Sequence, residues 1–281
     1  MNENKSKIPR IGFMQGRLSP VVENKIQAFP WKHWEDEFSS ANSLDLRLME
    51  WTLDQENLFD NPIMNQEGRD RIKTLSRKFN ISIPSLTGDC FMQAPFWKSQ
   101  GLEKEALEKI FLSVLESCQY LAMEFIVVPL VDGGSIKTKQ ERSSLFSFFE
   151  RYESQIEKTS IKILFESDYG PLDLNNFIDE LNPKVFGINY DIGNSAAMGF
   201  DPVEEFSAYG NRIMNVHVKD RELNGFTVPL GNGDANFPLV FKLLEQFSYK
   251  GNYILQTARS ETGDHLGCIR EFKEKTLGWL C

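Results

Sequence analysis

Eight short apolar runs recur along the chain, spaced as strand–helix–strand units require, and four in the second half stop at a polar side chain. They read IKILFESD with Glu166, VFGINYDIGN with Asp191, IMNVHVKDR with His217 and NYILQTAR with Gln256. The polar tips are 25, 26 and 39 residues apart, enough for one crossover helix each. Side chains at the carboxyl ends of parallel strands converge when the sheet closes into a barrel. Two carboxylates and one neutral imidazole at such a point make a divalent-metal site with positions left open for substrate. Gln256 stands apart from the other three because it is an amide.

The eight predicted strands are Arg10–Gly16, Leu46–Trp51, Ile81–Gly88, Phe125–Asp132, Ile161–Ser167, Val185–Asp191, Ile213–Lys219 and Asn252–Thr257. Several are continuous apolar runs, which suits strands covered on both faces. Helical patterns lie between them. The clearest spans Leu102–Met123, where Leu107, Ile110, Phe111, Val114, Leu115, Cys118 and Leu121 form one stripe. Leu145, Phe148, Phe149, Tyr152 and Ile156 form a second, and Phe237, Val240, Phe241 and Leu244 a third, with Pro238 in its first turn. Eight alternating units without a polar linker predict an α/β protein, a single (β/α)8 barrel over residues 1–281. A doubly wound open sheet competes. Against it, no GxGxxG follows the first strand and the polar tips are spread over many strands.

Bulk properties agree with that class. At 281 residues, 41% apolar and 25% charged, the chain has the size and balance of one globular barrel. A net charge of −9 with no basic block argues against a nucleic-acid partner. No apolar stretch approaches a membrane span. Cys90, Cys118, Cys268 and Cys281 are scattered without a CxxC pair and read as reduced cytoplasmic thiols. The polar start MNENKSKIPR is not read as a secretory signal.

Each candidate has a plain structural role beside the functional one. Glu166 follows an apolar run, where a carboxylate is costly unless paired or ligating, yet it could be a solvated strand end. Asp191 in YDIGN suits a turn or cap as well as a ligand. His217, one of three histidines, is flanked by Val216 and Val218; alone it reads as a core group, and its register with the others favours ligation. Lys219, Asp220 and Arg221 form a charged strand end or orient hydroxyls or a phosphate at the barrel mouth. Gly231 and Gly233 in PLGNGDANFP suit a phosphate cradle or a tight loop equally. The aromatic clusters at 29–34 and 94–98 wall a pocket or simply pack over it. His33 and His265 have no local partner pattern.

The ordered set IGFMQGRLSP, MEWTLD, FES, YDIGN, HVKDR and VPLGNGDANFP resembles the xylose isomerase-like TIM-barrel family, across nearly the whole chain. The likeness is to its sugar-phosphate isomerase/epimerase branch, which includes D-tagatose 3-epimerase and L-ribulose-5-phosphate 3-epimerase. The resemblance implies a cytoplasmic enzyme for a small sugar or sugar phosphate, with Mn2+, Mg2+ or Co2+ held by Glu, Asp, His and a second Glu; Zn2+ suits the same donors. Glu166, Asp191 and His217 match the first three ligands, and Arg221 a contact to a substrate hydroxyl. Glu50 at the second strand's tip matches a pocket residue, and a homo-oligomer is compatible with the resemblance.

Two positions depart from the family. Gln256 replaces the second glutamate and Asn194 replaces a histidine three residues beyond the aspartate. An amide oxygen still ligates a hard cation, but the ligand charge falls from −3 to −2, and an amide cannot serve as a general base. Two-base epimerisation is thereby called into question. Isomerisation or epimerisation through an enediolate ranks first, one-base dehydration of a keto-sugar or keto-inositol next, and a sugar-binding barrel disabled at Gln256 remains a third reading. Three histidines are too few for the three-zinc endonucleases of related fold.

Overall fold

A computed structural model describes residues 10–280; residues 1–9 of the polar start and Cys281 lie outside these described residues. The eight barrel strands are β1 (Ile11–Met14), β2 (Leu48–Thr52), β3 (Ser82–Thr87), β4 (Phe125–Leu130), β5 (Lys162–Ser167), β6 (Phe186–Asp191), β7 (Ile213–Val218) and β8 (Asn252–Leu255). All neighbours are parallel and β8 closes onto β1, so the sheet is a complete barrel without a free edge. The eight predicted strands are all present; the fourth, seventh and eighth start where the sequence pattern placed them, the other five start one to two residues later, and most end earlier.

The helices relevant here are α1 (Asp36–Ser43), α2 (Gln66–Phe79), α3 (Gly101–Tyr120), α4 (Lys139–Thr159), α5 (Pro171–Asp179), α6 (Pro202–Tyr209), α7 (Phe237–Gln246) and α8 (His265–Leu280). Helix α4 starts with a full capping box between Thr138 and Glu141, and α7 is capped by the Asn236 side chain with Pro238 in its first turn. Phenylalanines fill the layer between strands and helices: Phe149 meets Phe165 and Phe186 with ring centroids 5.5 and 5.2 Å apart. The 94–98 cluster belongs to this layer, since Phe96 packs on Phe111 and Phe148. The 29–34 cluster packs on Trp51 through Phe29 and Trp34. Both aromatic clusters therefore build the outer shell and do not wall the pocket.

This outer packing aims the functional residues. Along a strand successive side chains alternate in direction. Phe165 packs outward on Phe177 of α5, so Glu166 points into the barrel. Tyr190 points outward and donates its hydroxyl to Glu205 of α6 at 2.7 Å, so Asp191 points inward. Val216 and Val218 sit fully buried on either side of His217.

The loop after β7 answers the phosphate-cradle question. Gly231 and Gly233 donate their backbone N–H groups to Asp220 Oδ2 at 2.7 and 3.0 Å, and Ala235 donates to Oδ1 at 3.2 Å. The amides that a phosphate would need are turned onto a buried carboxylate of the chain itself. Asp220→Ala strips three donors of their acceptor. Because the loop is partly open to water, about 3 kcal/mol of destabilisation is expected rather than the full penalty for each donor. Calorimetry should show Tm falling by roughly 6–12 °C, and Asp220→Asn, which keeps one acceptor oxygen, losing less.

Candidate active site and metal centre

Strand register places the inward residues in tiers. Asp191 pairs with His217 across β6 and β7, and Asn189 with Asn215 one tier below. Glu166, Asp191 and His217 each offer a ligand atom within 4.8 Å of the others. One divalent ion reaches its donors at about 2.0–2.6 Å, so donors this close can share it. His217 is fully buried and pinned from below: its Nε2 lies 2.7 Å from Glu50 Oε1. That bond fixes the ring and leaves Nδ1 toward the shared point, as metal-binding histidines require. The residues present fit a divalent metal.

Glu50 is placed differently from expectation. It is fully buried, accepts from Ser85 Oγ at 2.6 Å and Asn215 Nδ2 at 3.0 Å, and does not line the cavity. The pleat turns it beneath His217, so it orients the imidazole instead of touching substrate. Asn189 and Asn215 went unremarked in the sequence, although each stands two residues before a candidate ligand on the same strand face. Asn189 Nδ2 donates to Glu166 Oε2 at 2.8 Å, and Asn215 donates to Asn189 Oδ1 at 2.7 Å.

Both roles foreseen for Asp191 occur, one on each oxygen. Its Oδ1 caps the Ile192–Met198 helix by accepting from Asn194 N at 2.8 Å. Its Oδ2 lies 2.9 Å from Lys219 Nζ and 3.9 Å from His217 Nδ1. Asn194, in the histidine's place, donates to Glu166 Oε1 at 2.8 Å and accepts from Arg221 Nη1 at 2.9 Å. Gln256 Oε1 accepts from Lys219 Nζ at 3.3 Å, while its amide nitrogen donates to Gln27 at 3.0 Å. Lys219 thus bridges two of the four expected ligands. His33 lies apart, against exposed Asp36.

Burial opposes a charge on His217, but Glu50 and then Glu166 outweigh it and push its pKa up to about 10. The protonated ring donates Nδ1–H to Glu166 Oε2 at 3.1 Å; Asn189 Nδ2, also 3.1 Å from Nδ1, can then bond only Glu166. A metal at Nδ1 must displace that proton. Below about pH 10 the two compete, so metal affinity should rise with pH, by up to roughly tenfold per unit. Titration of Mn2+ binding between pH 6 and 9 checks this. A pH-independent affinity would remove Nδ1 from the ligand set.

Above the triad opens a cavity of about 370 Å³, within the range of small-molecule sites. Glu166, Asn194, Lys219, Arg221 and Gln256 line it, as do Arg17, Gln27 and Asp89, which sequence reasoning missed. Among the described residues no helix is long and apolar enough to cross a membrane.

The chain is similar to several known proteins. An inosose dehydratase of Clostridium perfringens is 23% identical over 194 residues, covering 56% of this chain and 65% of that protein. An L-ribulose-5-phosphate 3-epimerase of Salmonella paratyphi A is 37% identical over 86 residues, 30% of each chain. The chain therefore spans less than two thirds of these curated relatives. The crystal structure of an IolI protein with a bound zinc atom superposes with a TM-score of 0.72 at 14% identity, over 96% of this chain and 98% of that one. The family described as xylose isomerase-like TIM barrel matches residues 38–273. That stretch runs through every strand from β2 to β8, and the chain belongs to this family.

Proposed function

We propose that this barrel is a metal-dependent isomerase or epimerase that removes the proton α to the carbonyl of a small sugar or sugar phosphate. The observation that carries the reading is the double position of Glu166. It lines the cavity, and it also belongs to the triad that fits a metal. A divalent ion bound by Glu166, Asp191 and His217, with Gln256 Oε1 as a weaker fourth donor, would polarise a carbonyl and stabilise charge on adjacent oxygens. Asn189 and Asn194 hold the two Glu166 oxygens, fixing the carboxylate that accepts the proton. Lys219 and Arg221 present cationic donors to sugar hydroxyls or a phosphate in the same cavity. The names of the matched epimerase and of the zinc-bearing neighbour support this chemistry.

Dehydration of a keto-inositol is a second reading. Gln256 favours it, because elimination needs no second base on β8 and an amide is not one; the matched inosose dehydratase points the same way. The test incubates the full chain in D2O with Mn2+ and, in turn, D-allulose, D-fructose, L-ribulose 5-phosphate and an inosose. Deuterium uptake at the carbon next to the carbonyl is expected for one of them. Sugar binding without exchange under Mn2+, Mg2+, Co2+ or Zn2+ would leave a binding barrel, not an enzyme.

A further inference from the structure

We propose that Asp89 is a further catalytic residue of this site, the acid that delivers a proton after Glu166 has taken one. The inference rests on the reading of Glu166 as base and supplies the partner that Gln256 cannot be. Asp89 directly follows the short loop off β3, on the same cavity that Glu166 lines from β5. It is only 8% exposed. Its two hydrogen-bond partners are uncharged: Gln27 Nε2 donates to Oδ2 at 2.7 Å and Thr87 Oγ1 to Oδ1 at 3.3 Å. Gln27 in turn accepts from Gln256 Nε2 at 3.0 Å and from Arg17 Nη2 at 3.3 Å. A single glutamine side chain therefore ties this carboxyl to the amide that has replaced the expected carboxylate.

The surroundings favour the protonated form. Burial and then Asp54, with a smaller contribution from Glu166, push Asp89 up to about 7 against the hydrogen bonds of Gln27 and Thr87. Arg17 is the cation facing it. A protonated Asp89 carboxyl on the same cavity as the Glu166 carboxylate sets an acid beside a base. The balance is simple. The α-C–H bond breaks, its proton goes to the Glu166 carboxylate, and its electron pair enters the enolate. Asp89 then gives its carboxyl proton and becomes a carboxylate. In an epimerisation that proton forms a new C–H bond on the opposite face. In a dehydration it joins the departing β-hydroxyl, the C–O bond breaks, a C=C bond forms and water leaves.

Asp89→Asn separates this role from a structural one, since the asparagine oxygen still accepts from Gln27. The Mn2+-loaded full chain is assayed on the same sugars for α-proton exchange with D2O and for net product. The expected result is exchange within a few fold of wild type, returned through Glu166, with net conversion down by about 10²-fold or more. Asp89→Glu should restore part of the conversion. Equal conversion by Asp89→Asn and wild type overturns the inference. So does parallel loss of exchange and conversion, which would make Asp89 an anchor for Gln27. Wild-type protein that neither exchanges nor converts overturns the parent reading and this inference with it, an outcome distinct from the other two.

Discussion

Glu166→Gln should lower α-proton exchange by about 10²–10⁴-fold, the range general-base catalysis contributes. The substitution preserves shape but leaves one acceptor oxygen where Asn189 and Asn194 need two. It also removes one of the carboxylates that share the buried His217. Metal affinity falls as well, so the measurement belongs at metal concentrations that saturate the variant. Sugar binding should persist, because Lys219, Arg221 and the cavity walls are untouched. A variant that exchanges at the wild-type rate when saturated would take the base role from Glu166. A variant that also loses sugar binding would show a collapsed cavity, and in that case a lost rate would say nothing about proton transfer.

Much of this site was legible because it obeys strand chemistry. A polar side chain ending an apolar run is conspicuous, and the barrel brings such ends together, so the spacing of Glu166, Asp191 and His217 predicts the convergence that leaves their ligand atoms within 4.8 Å of one another. Glu50 was found but misplaced. Sequence cannot say whether a tip residue rises into the cavity or sits a tier lower under a neighbour, because that depends on the stagger between β1, β2 and β3. Asn189 and Asn215 were hidden by their uncharged side chains, although the two-residue spacing to Asp191 and His217 was there to be read. Gln27 and Asp89 lie beyond strand ends, where no periodicity aims a side chain. Gly231 and Gly233 suggested a ligand site because their loop chemistry is the same whether the amides meet a phosphate or Asp220.

The metal is where the substitution at β8 should be felt most. His217→Ala should cut retention of Mn2+ by more than about 100-fold, since removing even an outer partner of a ligand typically costs 10–100-fold. It also leaves Glu50 buried with no imidazole to bond, so folding must be checked alongside metal content. Gln256→Glu should act in the opposite sense. It raises the ligand charge from −2 to −3, but the new carboxylate also faces Lys219, already 2.9 Å from Asp191. Lys219 then holds two carboxylates, so part of the gain goes to the lysine instead of the ion. The expected result is tighter Mn2+ binding than wild type, with a larger gain when Lys219 is also replaced by methionine. Equal affinity in wild type and both Gln256→Glu backgrounds would place residue 256 outside the coordination sphere, leaving the three-residue set of Glu166, Asp191 and His217 to hold the ion alone.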